Sequence, residues 1–193
     1  MSTLHVENLK GLSSGGNANK IIVPSGQTLD ASAGVLTPSA GAVIQVVEQE
    51  GNGSSSQGYG TSTGYSSTSF VDVDQAALTI TPKFATSKIL LLMSNHIYVT
   101  AHSTNEWRGC RLRIRRGTTD ILTDGNAYGD GMFVDGDNDR WMSHQATMVY
   151  DSPNTTSATT YTLQVSSRVG NAIYLNRSDY GSGGFFMAQE IKQ

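Results

Sequence analysis

The run Asp135-Gly136-Asp137-Asn138-Asp139 is the sharpest piece of local chemistry in this sequence. It sets oxygen-bearing side chains at alternate positions, as a hard cation gathering about six to eight oxygens requires. The rest of a calcium loop does not follow. Arg140 stands where an EF-hand loop needs its glycine, and Ala146 where it needs its bidentate glutamate. A turn rich in Asp and Asn, whose side chains bond their own backbone, explains the run with fewer assumptions. No metal and no cofactor is assigned.

The four histidines, His5, His96, His102 and His144, are scattered. His96 and His102 fall near the end of one strand-like run. Their spacing is compatible with one face, but no carboxylate follows at close range, so they read as polar strand-end residues rather than ligands. No Gly-x-Ser-x-Gly elbow occurs and no glycine-rich loop opens a helix, which leaves acyl transfer and nucleotide binding without support. Sugar cleavage would need two carboxylates set across a glycosidic bond. Acidic residues occur between 120 and 140, but nothing holds them in such a geometry. The expectation is a protein that is not an enzyme.

Binding chemistry is better represented. Trp107, Tyr128, Phe133 and Trp141 lie in or beside polar loops between Ser103 and Arg140. A flat ring stacks on a sugar face while carboxylates take its hydroxyls. Trp107 and Tyr128, with Asp130, Asp137 and Asp139, are therefore candidate contacts for a surface glycan. The competing reading packs the aromatics at subunit contacts or over the end of a sandwich, and it is the better one for Trp141.

The elements that must hold these loops follow from composition and pattern. Hydrophobic residues make up 37% of the 193 residues and charged ones 15%, with Ser, Thr and Gly filling the deficit. That mixture is poor in helix formers and rich in turn and strand residues. Apolar residues alternate in Ser69–Val73, Ala77–Thr81 and Arg111–Arg115, and further strands are expected at 41–49, 145–150, 160–165, 173–175 and 185–191. Lys88–Met93, followed by His96–Val99, is apolar on both faces, which implies a strand covered on both sides, in a sandwich or at a subunit interface. About eight or nine strands and no amphipathic helix predict an all-β antiparallel sandwich over residues 41–193.

Residues 1–40 carry too little apolar surface to close a core alone. They read as an extended arm or stalk, on the order of 130 Å if fully stretched. Its apolar residues Leu4, Val6, Leu9, Ile21, Ile22 and Val23 are the candidates for docking to another protein. A net charge of −3 argues against a nucleic-acid partner. Arg111, Arg113, Arg115 and Arg116 fit the solvated face of a strand better than a polyanion site. Cys110 is the sole cysteine and reads as a small buried residue. The opening residues carry no apolar core of a signal peptide, and no run approaches about 18 apolar residues, so no membrane insertion is expected.

Several of these pieces resemble the small heads of tail fibres and related virion proteins of marine and cyanobacterial phages. The phrase Ile22-Val23-Pro24-Ser25-Gly26-Gln27-Thr28-Leu29-Asp30 resembles the linker before such heads. Ser69–Val73, Leu78–Pro82 and Thr86–Leu90 resemble their opening strands. Asp151-Ser152-Pro153 with Ala158–Val165 resembles the central hairpin, and Tyr174–Ser178 with Gln189–Ile191 the end. The resemblance spans about residues 20–34 and 69–191. It implies a jelly-roll-like head that forms homotrimers, a place in the virion and no catalysis. A short fibre attaching the particle to its host is the expected role; a capsid decoration protein gripping the shell by its N-terminal arm is the alternative.

Overall fold

A chain whose apolar residues recur at every second position buries them by laying sheets over one another. The computed structural model describes residues 13–16, 21–28, 38–51, 64–100, 108–122, 133–134, 141–177 and 183–193. Its strands are β1 (Val43–Gly51), β2 (Val71–Ile80), β3 (Lys88–Val99), β4 (Arg108–Arg116), β5 (Thr119–Leu122), β6 (Phe133–Val134), β7 (Trp141–Asp151), β8 (Thr159–Ser167), β9 (Ile173–Leu175) and β10 (Gly184–Ile191). By its internal contacts the chain divides into Met1–Thr37 and Pro38–Gln193, and all ten strands belong to the second unit. In the first, Pro24–Gln27 makes a tight turn: the Gln27 N–H donates to the Pro24 carbonyl at 3.1 Å, and Gly26 takes a φ of 80°. That φ at the third turn position is the one a type II turn gives to glycine.

The first sheet runs β1-β10-β3-β7 and the second β2-β8-β4-β5, with β9 added to β3 and β6 to β4. Every pairing is antiparallel. The chain steps between sheets from β1 through β4, then again from β7 to β8 to β10. This interleaving is jelly-roll connectivity. The expectation of an all-β antiparallel sandwich holds.

The core lies between the sheets. Ile89, Leu91, Met93 and Ile97 of β3 meet Leu112 and Ile114 of β4 and Tyr161, Leu163 and Val165 of β8, all at most 1% exposed. Cys110 is buried among them, as its sequence context predicted.

Two expected strand pairs are each one strand. β3 runs unbroken through 88–99. β2 joins the segments around 71 and 78 through a large bulge: its pairing with β8 jumps from Asp72↔Gln164 to Ala77↔Thr162. Gln75, at a φ of 62°, absorbs the extra residues. β5 and β6 are short and were not expected.

A polar plug sets the handover from β10 to β9. β7 occupies one edge of β3 along its length, so β10 and then β9 share the other. Asn176, fully buried at a φ of 51°, fills the gap. Its N–H donates to the His96 carbonyl at 2.7 Å, and its Oδ1 accepts from the His96 N–H at 2.9 Å. Its amide also donates to Asn95 Oδ1 at 3.1 Å. Gly51 and Gly184, a cross-strand pair, leave the space, since a Cβ on either would overlap the Asn176 side chain.

In urea denaturation, Leu163→Ala should cost about 2–5 kcal/mol through the cavity it leaves. Gly184→Ala should cost about 1–3 kcal/mol by driving a methyl into Asn176. A Gly184→Ala variant as stable as the parent would remove the plug from this account.

Candidate interaction surfaces

The two outer faces of the sandwich differ in kind, and the parity of each strand decides which residue lands where. On the first sheet, odd residues of β3 point into the core, so Leu90, Leu92, Ser94 and His96 point out. β10 adds Phe185, Met187 and Gln189, β7 adds His144, Ala146, Met148 and Tyr150, and β1 adds Val46, Glu48 and Glu50. The register aligns them in rows across the sheet: Val46, Gln189, Leu90 and Tyr150; Glu48, Met187, Leu92 and Met148; Glu50, Phe185, Ser94 and Ala146. Met148 is 69% exposed, Tyr150 59% and Val46 50%. A shallow recess of about 250 Å³ opens on this sheet, lined by Leu92, Met93, Ala146, Thr147, Met148 and Phe185. Among the described residues of this face, the charges are Glu48 and Glu50 on the β1 margin and Lys88 at the end of β3.

At one end of this face His96 and His144 stand directly opposite each other, their rings 6.2 Å apart edge to face. His144 Nδ1 lies 3.3 Å from Ser94 Oγ and its Nε2 3.1 Å from the Gly183 carbonyl. Burial, and then the neighbouring His144, hold the His96 pKa below its ordinary value. His102, read from sequence with His96 as a polar strand-end residue, lies outside the described residues. The partner the sheet supplies is His144, because register rather than sequence distance decides which side chains meet.

The second sheet's outer face is polar and bonded within itself. Arg111, Arg113 and Arg115 alternate outward from β4. The Arg113 guanidinium lies 4.1 Å from the Phe70 ring centre and Arg111 5.3 Å from it. Arg113 donates to Gln164 Oε1 at 2.9 and 2.5 Å, and Gln164 donates to Asp72 at 2.6 Å. Asp120 bridges Arg113 at 3.3 Å and Arg115 at 2.7 Å. Arg111 donates to Ser166 and to the Thr68 carbonyl, both at 3.0 Å. With each guanidinium answered within the sheet, this is a solvated strand face, as the alternation predicted.

Arg116 departs from the ladder. It reaches Asp151, at the end of β7 in the other sheet, at 2.8 Å, and the Tyr161 hydroxyl donates to the same carboxylate at 2.7 Å. Burial, then the bond to Asp151 and its charge, push the Tyr161 hydroxyl well above its usual pKa. This clasp closes one corner of the sandwich. Fully buried Glu190 closes another by gathering donors from the turn after β2: the Lys83 N–H at 2.8 Å and the Phe84 N–H at 3.1 Å. The Gln45 amide adds a third at 2.7 Å. Burial alone would raise the Glu190 pKa, but these bonds to the ionised form outweigh it and hold the carboxyl below its ordinary value.

Of the residues singled out from sequence, Trp107, Tyr128, Asp130, Asp137 and Asp139 lie outside the described residues, as do Leu4, Val6 and Leu9. Ile21, Ile22 and Val23 are exposed, at 54%, 56% and 41%. Among the described residues no group of three or more His, Cys, Asp or Glu is placed to hold a metal. No described helix is long and apolar enough to cross a membrane. Sequence reasoning did not single out Met148, Tyr150, Phe185 and Met187. A signal was there, since Phe185-Phe186-Met187-Ala188 is apolar on both faces, like the run in β3.

No protein-family model matches the sequence, and no curated protein matches it. Among solved structures, the chain is similar to dimeric latent PorU from Porphyromonas gingivalis, at 13% identity and a TM-score of 0.40. That match covers 81% of this chain and 14% of PorU, so the chain spans a small part of that protein. It is also similar to the CBM22-1 xylan-binding domain of Xyn10C from Paenibacillus barcinonensis, at 16% identity and a TM-score of 0.33, over 81% of this chain and 99% of that domain.

The two perturbed groups place two acid-sensitive windows. Because folded His96 holds its proton poorly, unfolding takes one up below the ordinary value of 6.5, so stability is full above that pH and falls as pH drops below it. Glu190 contributes above its ordinary value of 4.5 and loses that contribution as pH falls further. His96→Gln should flatten the first decline in thermal melts between about pH 7 and 5. Glu190→Gln should cost about 1–3 kcal/mol at neutral pH, with the deficit shrinking below pH 4.5.

Proposed function

We propose that this chain is a non-enzymatic structural protein of a bacteriophage particle, a short homotrimeric fibre that attaches the particle to its host. In this reading Met1–Thr37 docks to other virion proteins, with Ile21, Ile22 and Val23 among the apolar contacts. The jelly-roll head associates with copies of itself and carries the loops bearing Trp107, Tyr128, Asp130, Asp137 and Asp139 to a host-surface glycan. The protein is assembled in the host cytoplasm and works as part of the virion, without a cofactor, nucleic acid or membrane insertion.

The observation that carries the reading is the contrast between the outer faces. A single soluble chain rarely leaves a contiguous apolar patch beyond a few hundred Å² facing water. Here one face is rich in Leu, Met and Phe while its opposite number is a closed polar network, the asymmetry of a subunit that buries one side in an assembly. The sequence resemblance supplies the particle. The same head and arm serve the second reading, a decoration protein bound to the capsid shell.

Quantitative mass spectrometry of purified particles separates the two. Multiples of three in the tens or fewer are expected for a tail appendage and hundreds for a shell-wide decoration; a chain missing from the particles would end both. Trp107→Ala and Tyr128→Ala should each lower host adsorption about tenfold or more if these rings anchor the glycan. Full adsorption by both variants would overturn the receptor role of those loops.

A further inference from the structure

The His96 N–H and carbonyl both face Asn176, on the side of β3 away from β7. His96 and His144, directly opposite each other, are therefore a cross-strand pair with no ladder bonds between them. Such a pair brings its Cα atoms to about 4.5 Å, against about 5.5 Å for the bonded kind, and both side chains leave on the same face. The contacts of His144 also settle where its proton sits. A carbonyl only accepts, so Nε2, 3.1 Å from the Gly183 carbonyl, carries the hydrogen. Nδ1 keeps its lone pair, 3.3 Å from the Ser94 hydroxyl. A ring N–H held by a backbone carbonyl is the arrangement that orients a metal-binding histidine. The His96 ring has no such anchor: its Nδ1 is buried without a hydrogen-bond partner among the described residues.

We infer that His96 and His144, with Ser94 beside them, form a site for one divalent transition ion of the zinc class, held by two imidazoles across β3 and β7. Two rings that share a tetrahedral ion, each nitrogen about 2.0–2.1 Å from it, stand about 5 Å apart between centres. The rings here are 6.2 Å apart, edge to face. A χ2 turn of the unanchored His96 ring aims a nitrogen at the ion, and a χ1 change of about 20° closes the remaining distance within a rotamer well. Neither strand has to move. No third His, Cys, Asp or Glu of the described residues joins the pair, so the Ser94 hydroxyl and water complete the shell. Imidazole ligands without a carboxylate suit zinc, copper or nickel rather than magnesium or calcium. The ion ties β7, at the margin of its sheet, to β3 near the first residues of β7. It adds a structural ion to the function proposed above, which requires none, and does not rest on it.

The test uses the untagged full chain and zinc chloride. Calorimetric titration should show one zinc bound per chain, and magnesium chloride should give no binding. Zinc at about one hundred times its Kd should raise the thermal midpoint by about 5–10 °C. Groups that merely orient a metal ligand are worth about 10–100-fold in affinity, so His96→Gln and His144→Gln should each weaken zinc binding at least about tenfold. His144 is exposed, so its replacement leaves the fold intact. The double variant His5→Gln, His102→Gln should bind zinc like the parent. As a measurement without substitution, zinc at about ten times its Kd should slow diethyl pyrocarbonate attack on His144 of the parent about tenfold. Zinc binding that survives the loss of either ring, or that vanishes with His5 and His102, overturns the pair. A parent that binds no zinc, or whose His144 is attacked as fast with zinc as without, overturns it as well. None of these outcomes touches the virion reading, which the copy number per particle tests.

Discussion

The arrangement of this head depends on one sheet being apolar on both sides. β3 and β10 each place large hydrophobic side chains alternately inward and outward: Leu91 against Leu92, Phe186 against Phe185. The inward set is satisfied by the second sheet, which supplies Leu112, Leu163 and Val165 across the core. The outward set finds no such partner in the second sheet, which lies on the other side. Burying apolar surface is the dominant favourable term in folding and in most association, so the same physics that closes the sandwich also bears on its outer face.

Polar groups act at the places where that apolar logic leaves gaps. Asn176 joins β9 and β10 along one edge of β3 by replacing ladder bonds the backbone cannot make there. Glu190 and Asp151 do the same at two corners of the sandwich, each held by several donors. Such groups are costly to bury unpaired and specific when paired, so they fix register in a molecule whose core residues are largely interchangeable aliphatics. The wall of Arg111, Arg113 and Arg115 serves a different end. Asp120 pairs with Arg113 and Arg115, and Gln164 accepts from Arg113 while donating to Asp72, which keeps the second sheet's outer face wet and unsuited to apolar contact.

What could be read from sequence was what depends on local alternation. The all-β class, most strands, the burial of Cys110 and the outward arginine ladder all follow from period-two patterning and residue chemistry, which need no partner. The double-faced run in β3 even announced that both of its sides require cover. Sequence order alone could not say that Asp72 and Ala77 share one bulged strand, because the extra residues are accommodated only against β8. It could not pair His96 with His144, forty-eight positions away, nor set Gly51 and Gly184 around Asn176, because cross-strand neighbours are chosen by register. The interleaved order of strands and the gathering of Phe185, Met187, Leu92 and Met148 into one face likewise belong to tertiary structure. Contacts between distant segments exist only once the sheets have formed.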